Sequence, residues 1–217
     1  HLRDMDGEAS LQDMMEATGI DMMNIVAIHN AETGSGLPAA LCAKARHPES
    51  FFVFGGLNHA RQLSESETGA PKIGRQPEML AEVGCDGIKM IETKPTNRQK
   101  MDMPLTDSYY ADYWARAEEL GTTILCHVND PEEFWDPDAI PEWASQRNWG
   151  YGPEDVQKEQ LYSEVDTVLK RHPNLNIIFA HFYFLSADLE RAGQFLEDHP
   201  TVYMDLAPGV EMLYNIC

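Results

Sequence analysis

Short runs of apolar residues alternate along this chain with longer stretches in which apolar residues recur at helical spacing. The runs have the length of single strands, and several are apolar throughout, as strands covered on both faces are. Strands are therefore predicted at residues 24–28, 51–54, 87–91, 122–128, 176–181 and 202–206. Helices are predicted at residues 9–18, 37–47, 76–83, 107–120, 154–171 and 187–196, and from residue 210 onward.

The regular alternation makes six βα repeats, which require a parallel sheet with right-handed crossovers. A doubly wound sheet and a (β/α)8 barrel both satisfy this pattern. No strand is followed by GxGxxG or GxxxxGK[ST], the motifs that identify nucleotide-binding proteins with a doubly wound sheet. The sequence therefore does not favour that class. The prediction is an α/β chain of TIM-barrel type, incomplete at about six βα units. A single domain is expected over residues 1–217.

A long insert at residues 129–152 interrupts the alternation directly after a predicted strand. It contains Trp135, Trp143 and Trp149, three of the four tryptophans of the chain. We interpret the insert as a lid that shapes a pocket and excludes water. The alternative is an ordered surface loop that the tryptophans hold together.

The charge balance narrows the range of partners. Sixteen basic residues oppose thirty-six acidic ones, which leaves a net charge of −20. Such a surface repels nucleic acid and anionic membranes, and no apolar stretch approaches the roughly 18 residues of a membrane span. The expected partner is a small-molecule substrate, and assembly into a homo-oligomer stays open. The four cysteines are scattered without a CxxC pair, which favours a reducing, cytoplasmic location.

Polar side chains stand at the predicted carboxyl ends of the strands, where a barrel collects its functional groups. They are His29, Lys89, His127, His181 and Asp205. His127 and His181 each close an apolar strand, so both imidazoles are expected at one mouth. Neutral imidazole binds zinc and related divalent ions, and a catalytic site of this kind keeps one position for water. The alternative is a pair of histidines with structural hydrogen bonds.

Lys89 and Asp205 are the residues predicted to take part in catalysis. Lys89 lies in an apolar strand, where a lysine is costly unless it is paired, reaches the mouth or is carboxylated into a metal bridge. Asp205 is placed to orient a ligand or a substrate, and the alternative is a hydrogen bond to a neighbouring loop. His59, four residues after Gly55, is interpreted as a loop residue.

Four segments resemble the metal-dependent amidohydrolase superfamily, in the branch that includes aminocarboxymuconate-semialdehyde decarboxylase. They are GIKMIETKP, ILCHVNDPEEFWDP, HPNLNIIFAHFYFLSADLERAGQFLEDHP and VYMDLAPGVEM. The resemblance implies a distorted (β/α)8 barrel with one or two metal ions, most often zinc. It makes His127 the ligand of the fifth barrel strand and His181 that of the sixth, and it gives Lys89 the fourth-strand position that some members carboxylate. His1 is similar to the second histidine of an HxH pair that follows the first strand.

The same resemblance identifies family residues without a counterpart in this sequence. The family has a first histidine in the HxH pair and an aspartate at the end of the eighth strand, which is its usual general base. Neither is found here, since the sequence opens at His1 and ends at Cys217, after the predicted strand at residues 202–206, which corresponds to the seventh strand of the barrel. The expectation is a piece of a larger enzyme that does not run the family reaction unaided.

The function implied is that of a metal-dependent hydrolase, in which metal-activated water attacks the carbonyl carbon of an amide, ester or lactone. The first alternative is a metal-dependent decarboxylase, a lyase acting on an unsaturated carboxylic acid. It needs a cation such as Arg61, Arg75 or Arg98 to hold the carboxylate. The second alternative is a non-catalytic barrel or binding module in which the histidines are structural.

Overall fold

The computed structural model describes residues 2–30, 34–63 and 71–207, and its centre is one parallel sheet of six strands. The strands lie side by side in the order in which they occur in the chain. Helices connect them, so the predicted α/β fold with alternating strands and helices is confirmed. The strands are β1 (Met23–Ala27), β2 (Phe51–Gly56), β3 (Gly87–Thr93), β4 (Thr123–Val128), β5 (Asn176–Phe179) and β6 (Val202–Met204).

Helices occupy most of the segments between the strands, and a two-residue hairpin pairs His29–Asn30 with Gly34–Ser35. The α-helices are α1 (Leu2–Thr18), α2 (Leu37–Arg46), α3 (Ala60–Leu63), α4 (Gln76–Glu82), α5 (Pro95–Met101), α6 (Ala111–Leu120), α7 (Glu142–Ser145), α8 (Lys158–Arg171) and α9 (Leu189–Asp198). Short 3₁₀ turns cover Ile73–Arg75, Ser108–Tyr110, Glu132–Trp135 and Ala180–Phe184. The helix predicted from residue 210 onward lies outside the described residues.

Several boundaries differ from the prediction. Helices α3 and α5 were not predicted, and α5 begins at Pro95 because proline fits the first turn of a helix. Helix α8 begins later than expected, since the backbone N–H of Gly152 donates to the Asp155 carboxylate at 2.7 Å and forms a turn there instead. Strand β5 ends at Phe179, two residues earlier than predicted.

The register divides the sheet into two faces. On the outer face, Ile88, Ile124, Ile177 and Val202 form a row across four strands and pack against the helices as the main core. The next residue of each strand points to the opposite side, because side chains alternate along a strand. This inner face carries a second row, which consists of Lys89, Leu125, Ile178 and Tyr203. A barrel would enclose the inner face.

In the part of the chain that the structure describes, the sheet does not close on itself. Strands β1 and β6 are its two edges. Phe52 and Tyr203 are 42% and 60% exposed, although both are large and apolar. The architecture is therefore that of an incomplete barrel, as predicted.

The insert at residues 129–152 has a small apolar cluster of its own. Phe134, Ala144 and Tyr151 are buried together, and Trp135 and Trp149 pack against them. The three tryptophan side chains of the insert thus surround this cluster, with Trp143 5.8 Å from the Phe134 ring. Among the described helices, none combines the length and the apolar composition needed to cross a bilayer.

Two glycines should respond in opposite ways to the same substitution. A Cβ atom at Gly87 would lie 2.6 Å from the Thr123 carbonyl oxygen and 2.7 Å from Cζ of Phe54, whereas nothing lies within 4 Å of a Cβ atom at Gly193 in α9. We expect Gly87→Ala to lower the free energy of unfolding by about 1–3 kcal/mol through overpacking. Gly193→Ala should raise it by about 1 kcal/mol, because alanine is the better helix former. Urea unfolding followed by circular dichroism measures both, and equal shifts of one sign would contradict the packing at Gly87.

Candidate functional site

His127 lies next to the carboxyl end of β4, and a residue two positions further along the chain fixes its ring. Asn129 has a left-handed backbone (φ 69°), which turns its carbonyl oxygen back to within 2.9 Å of Nε2 of His127. A carbonyl oxygen only accepts, so Nε2 carries the proton and the lone pair is on Nδ1. Burial lowers the pKa of His127, against the opposing effect of Asp130, and the ring is neutral at pH 7. This is the form in which histidine binds a metal.

His181 reaches the same place from a different kind of segment. It belongs to the 3₁₀ turn after β5, where its backbone adopts φ 60° and ψ 41°. Its Nδ1 is hydrogen-bonded to the carbonyl oxygen of Ala207, so Nδ1 carries the proton and the lone pair is on Nε2. Metal-binding histidines commonly donate their other ring N–H to a carbonyl oxygen in this way.

The structure brings the two predicted ligands together. The ring centroids of His127 and His181 lie 4.8 Å apart, with the ring planes at 74°. Phe184 packs against both rings, at 5.5 Å from His127 and 5.3 Å from His181. The pair is therefore backed by an apolar wall on one side.

These two imidazoles fit a zinc-type centre as donors, since each has a lone pair that its hydrogen bond leaves available. Within residues 2–30, 34–63 and 71–207, however, no three His, Cys, Asp or Glu side chains converge on one point. His1, the third predicted ligand, lies outside the described residues. His29, at the end of β1, lies in the small hairpin and is not part of the pair.

Lys89 lies on the inner face, as the third residue of β3 rather than at its end. It is 7% exposed, and in the described part of the chain it makes neither a hydrogen bond nor an ion pair. Burial lowers the pKa of Lys89, and the nearby Cys126, Asp205 and Glu92 only partly oppose this effect. The strand thus holds a lysine in the costly situation that the sequence analysis described.

Asp205 follows the last residue of β6 and acts on the neighbouring turn. Its Oδ1 accepts the backbone N–H of His181 at 2.7 Å and that of Ala207 at 3.1 Å. The sequence analysis gave a hydrogen bond to a neighbouring loop as the alternative role of Asp205. The structure has this bond, and the loop is the turn that carries His181.

A buried network next to His127 was not predicted. The Asp130 carboxylate accepts Lys94 Nζ at 2.7 and 2.6 Å, the Tyr151 hydroxyl at 2.6 Å, and Nε2 of His127 at 3.3 Å. Burial would raise the pKa of Asp130, but the hydrogen bonds from His127 and Lys94 hold it below its ordinary value. Lys94 also lies 4.1 Å from the Trp149 ring, a cation–π contact. The insert is therefore tied to the candidate site through one carboxylate, three residues after the strand-end histidine.

His59 was interpreted as a loop residue, and it does lie in the loop after β2. It is nevertheless buried, with Nε2 2.7 Å from the Glu92 carboxylate and Nδ1 3.0 Å from the Tyr109 hydroxyl. A carboxylate only accepts, so Nε2 of His59 carries a proton, and Nδ1 shares a hydrogen bond with the Tyr109 hydroxyl. These three groups connect the loop after β2 with the end of β3.

The predicted carboxylate-binding arginines are not among the residues that line a cavity of about 380 Å³ beside Phe184. Arg98 is paired with Glu164 at 3.4 Å, and Arg75 has a side chain that is 69% exposed. Trp135, Lys158 and Tyr162 are among the walls of this cavity, so the insert contributes one of them. Phe184 also packs against the rings of His127 and His181, which do not themselves line the cavity.

The model of the amidohydrolase family matches residues 75–213, which is more than half of the chain. The matched segment contains Lys89, His127, His181 and Asp205. The comparison with curated protein sequences gave no match.

Three solved structures share the fold. An uncharacterised TIM-barrel protein from Bordetella bronchiseptica has a TM-score of 0.57 and 14% identity, over 89% of this chain and 57% of its own. The 4-oxalomesaconate hydratase of Rhodopseudomonas palustris has a TM-score of 0.54 and 16% identity, over 95% of this chain and 62% of its own. A variant of 5-carboxyvanillate decarboxylase from Novosphingobium aromaticivorans with bound manganese has a TM-score of 0.52 and 18% identity, over 85% and 53%. This chain therefore spans 53–62% of the length of these three proteins.

The Asp130 ion pair has a surface counterpart that allows a matched test. Lys94–Asp130 and Lys170–Asp166 both have N···O separations of 2.6 Å, but the first pair is buried and the second is exposed. We expect Asp130→Asn to lower the free energy of unfolding by about 3–5 kcal/mol, because it leaves the Lys94 charge buried without its counter-charge. Asp166→Asn should cost less than about 1 kcal/mol. Urea unfolding measures both, and equal losses would contradict the burial of the Asp130 network.

The lowered pKa of the buried Lys89 side chain predicts that the stability of the chain depends on pH. Its pKa is lowered in the folded chain, so the unfolded chain binds more protons between that lowered value and the ordinary 10.5. The free-energy cost of burying the charged Lys89 side chain is therefore complete below the lowered pKa and disappears as the pH rises to 10.5. Lys89→Met should raise the free energy of unfolding near pH 7 by about 1.4 kcal/mol per unit of pKa lowering, and by less as the pH rises.

The measurement is a set of urea unfolding curves at several pH values with a chelator present. Lys100→Met controls for the loss of one positive charge at an exposed position. A rise in the free energy of unfolding of Lys89→Met that does not change with pH, or a fall at all pH values, would contradict a lowered pKa of Lys89.

Proposed function

Because this chain belongs to the amidohydrolase family, we propose that it acts as a metal-dependent hydrolase on the carbonyl group of an amide, ester or lactone. The observation that supports this proposal is the histidine pair. His127 in β4 and His181 in the turn after β5 have ring centroids 4.8 Å apart, and among the described residues each has one ring nitrogen free of hydrogen bonds to accept a metal.

His127, His181 and His1 are the proposed ligands, and zinc is the proposed ion because imidazole nitrogen suits it. Manganese is the alternative, since the decarboxylase of similar fold contains it. A bound divalent ion supplies Lewis-acid activation of a water molecule and of a carbonyl oxygen. Lys89 and Asp205 complete the proposed site, because both lie on the inner face of the sheet with the histidines.

The residues of this chain have separate tasks in the proposed site. Asn129 and Ala207 hold the two imidazoles in the tautomers that ligation needs, through their carbonyl oxygens. Phe184 keeps water from one side of both rings, which strengthens electrostatic interactions there. The insert is proposed as the lid, since Trp135 lines the cavity beside Phe184 and Tyr151 binds Asp130.

A lyase that decarboxylates or hydrates an unsaturated acid is the second candidate. One observation favours it: Lys158 lines the cavity beside Phe184, and its ammonium group, 5.9 Å from the Trp135 ring, makes no hydrogen bond or ion pair with the described residues. Such a lysine is suited to hold a substrate carboxylate. A hydratase and a decarboxylase are among the proteins of similar fold.

The proposed substrate is a small molecule, because the cavity beside Phe184 has a volume of about 380 Å³, which suits a small ligand. The net charge of −20 argues against nucleic acid as a partner. The described cysteines are all free thiols, which supports a reducing compartment, and we propose the cytoplasm.

Metal content tests the proposed function. We expect near-stoichiometric zinc or manganese in the protein expressed from its complete gene, and loss of that metal in the double variant His127→Ala, His181→Ala. The control is the double variant His172→Ala, His199→Ala, which removes two histidines at the ends of α8 and α9. Elemental analysis measures the metal content of all three proteins. A separate activity assay compares hydrolysis of amides and lactones with decarboxylation of unsaturated acids. A wild-type protein without metal, or metal retained in the first double variant, would contradict the proposal.

A further inference from the structure

We infer that Asp205 is a positioning residue, whose carboxylate sets the left-handed turn that directs His181 at His127. The inference concerns how the site is built. The test by metal affinity and turnover rests on the proposed function, whereas the test by NMR does not.

The turn after β5 needs an external support. His181, Phe182, Tyr183 and Phe184 all have positive φ angles, at 60°, 54°, 56° and 50°. None of them is glycine, and a residue with a Cβ atom loses about 1–2 kcal/mol in this conformation. Four such residues in succession persist only where the surrounding structure determines them.

Asp205 supplies that support from both its side chain and its backbone. Oδ1 accepts the N–H of His181 at 2.7 Å, the first residue of the left-handed run. The backbone oxygen of Asp205 accepts the N–H of Phe182 at 2.8 Å, and its own N–H donates to Phe179 at 2.9 Å. One residue therefore holds the chain where it leaves β5 and where the turn begins.

The same carboxylate oxygen also fixes the acceptor of the His181 ring. Oδ1 of Asp205 accepts the N–H of Ala207 at 3.1 Å, and the carbonyl oxygen of Ala207 accepts the Nδ1 proton of His181. Asp205 thus determines the backbone of His181 and, through Ala207, the tautomer of its ring. As a result the Nε2 lone pair of His181 stays available, in a ring whose centroid lies 4.8 Å from that of His127.

Positioning and general-base catalysis make different demands on Asp205. The hydrogen bonds need an acceptor oxygen, which asparagine also has, whereas a general base needs a carboxylate. Asp205→Asn should therefore preserve the turn, and Asp205→Ala should release it. A general base would lose its function in both variants.

The first readout is the tautomer of His181, measured by NMR on protein with ¹⁵N-labelled histidine and without metal. We expect the Nδ1–H form in the wild type and in Asp205→Asn, and a mixture of both tautomers in Asp205→Ala. Asp107→Ala is the matched control, because Oδ1 of Asp107 also accepts a backbone N–H, that of Tyr109 at 2.8 Å, away from the histidines. Unchanged His181 signals in Asp205→Ala would overturn the inference.

The second readout is metal affinity and turnover. Asp205→Ala should weaken metal binding about 10–100-fold, as loss of a group that orients a ligand does, and Asp205→Asn should weaken it less because asparagine keeps the acceptor oxygen. If Asp205→Asn loses turnover while its metal content and His181 tautomer stay unchanged, Asp205 is a general base and the inference is wrong. A wild type without metal contradicts the proposed function alone, since the NMR readout still decides the inference.

A rescue variant covers the case in which Asp205→Ala does not fold. Glycine adopts positive φ without the Cβ penalty, so Phe182→Gly relieves part of the strain in the turn. We expect Phe182→Gly combined with Asp205→Ala to recover folding and part of the Nδ1–H signal of His181. A folded double variant with no such signal would also overturn the inference.

Discussion

The parallel backbone hydrogen bonds that set the register of β4, β5 and β6 determine where the functional groups lie. They pair Cys126 with Phe179, and Phe179 with Met204, at one level of the sheet. One residue beyond that level come His127 and Asp205, on the face opposite the helices. A slip of one residue in any strand would move its polar group to the helix-covered face. The apolar row on the outer face, which the helices bury, excludes that slip, so the core and the site depend on the same register.

The sequence predicts this arrangement where burial leaves a simple pattern. Buried parallel strands are apolar throughout, so a histidine that closes such a run is visible, as His127 is. The end of β5 is not visible, because the three residues from Phe182 to Phe184 include no glycine or asparagine to indicate a left-handed turn. The bonds of Asp130 and of His59 are equally hidden, since Lys94 and Glu92 approach them only after the strands pair. Sequence patterns report local conformation and burial, whereas these contacts join residues that are far apart in the sequence.

Charge separates the surface of the molecule from its interior. The chain has a net charge of −20, yet it buries Lys89 on the inner face and Lys94 beside His127. An acidic exterior attracts cations and repels anions over distances of about 8–10 Å at ordinary ionic strength. The field favours the approach of a divalent ion and of neutral substrates such as amides or lactones over polyanionic acids.

Strand order has a consequence for how the chain acquires its structure. Because each strand pairs with the next one along the chain, every connection in the sheet is a single crossover of 22 to 47 residues, and the entropy cost of closing a loop grows only slowly with its length. During synthesis, β2 can dock on β1 before β3 leaves the ribosome, and each later strand finds its partner already in place. The two imidazoles meet only when β6 arrives, so the growing chain has no complete histidine pair, and no fixed place for a metal, until the sheet has been assembled.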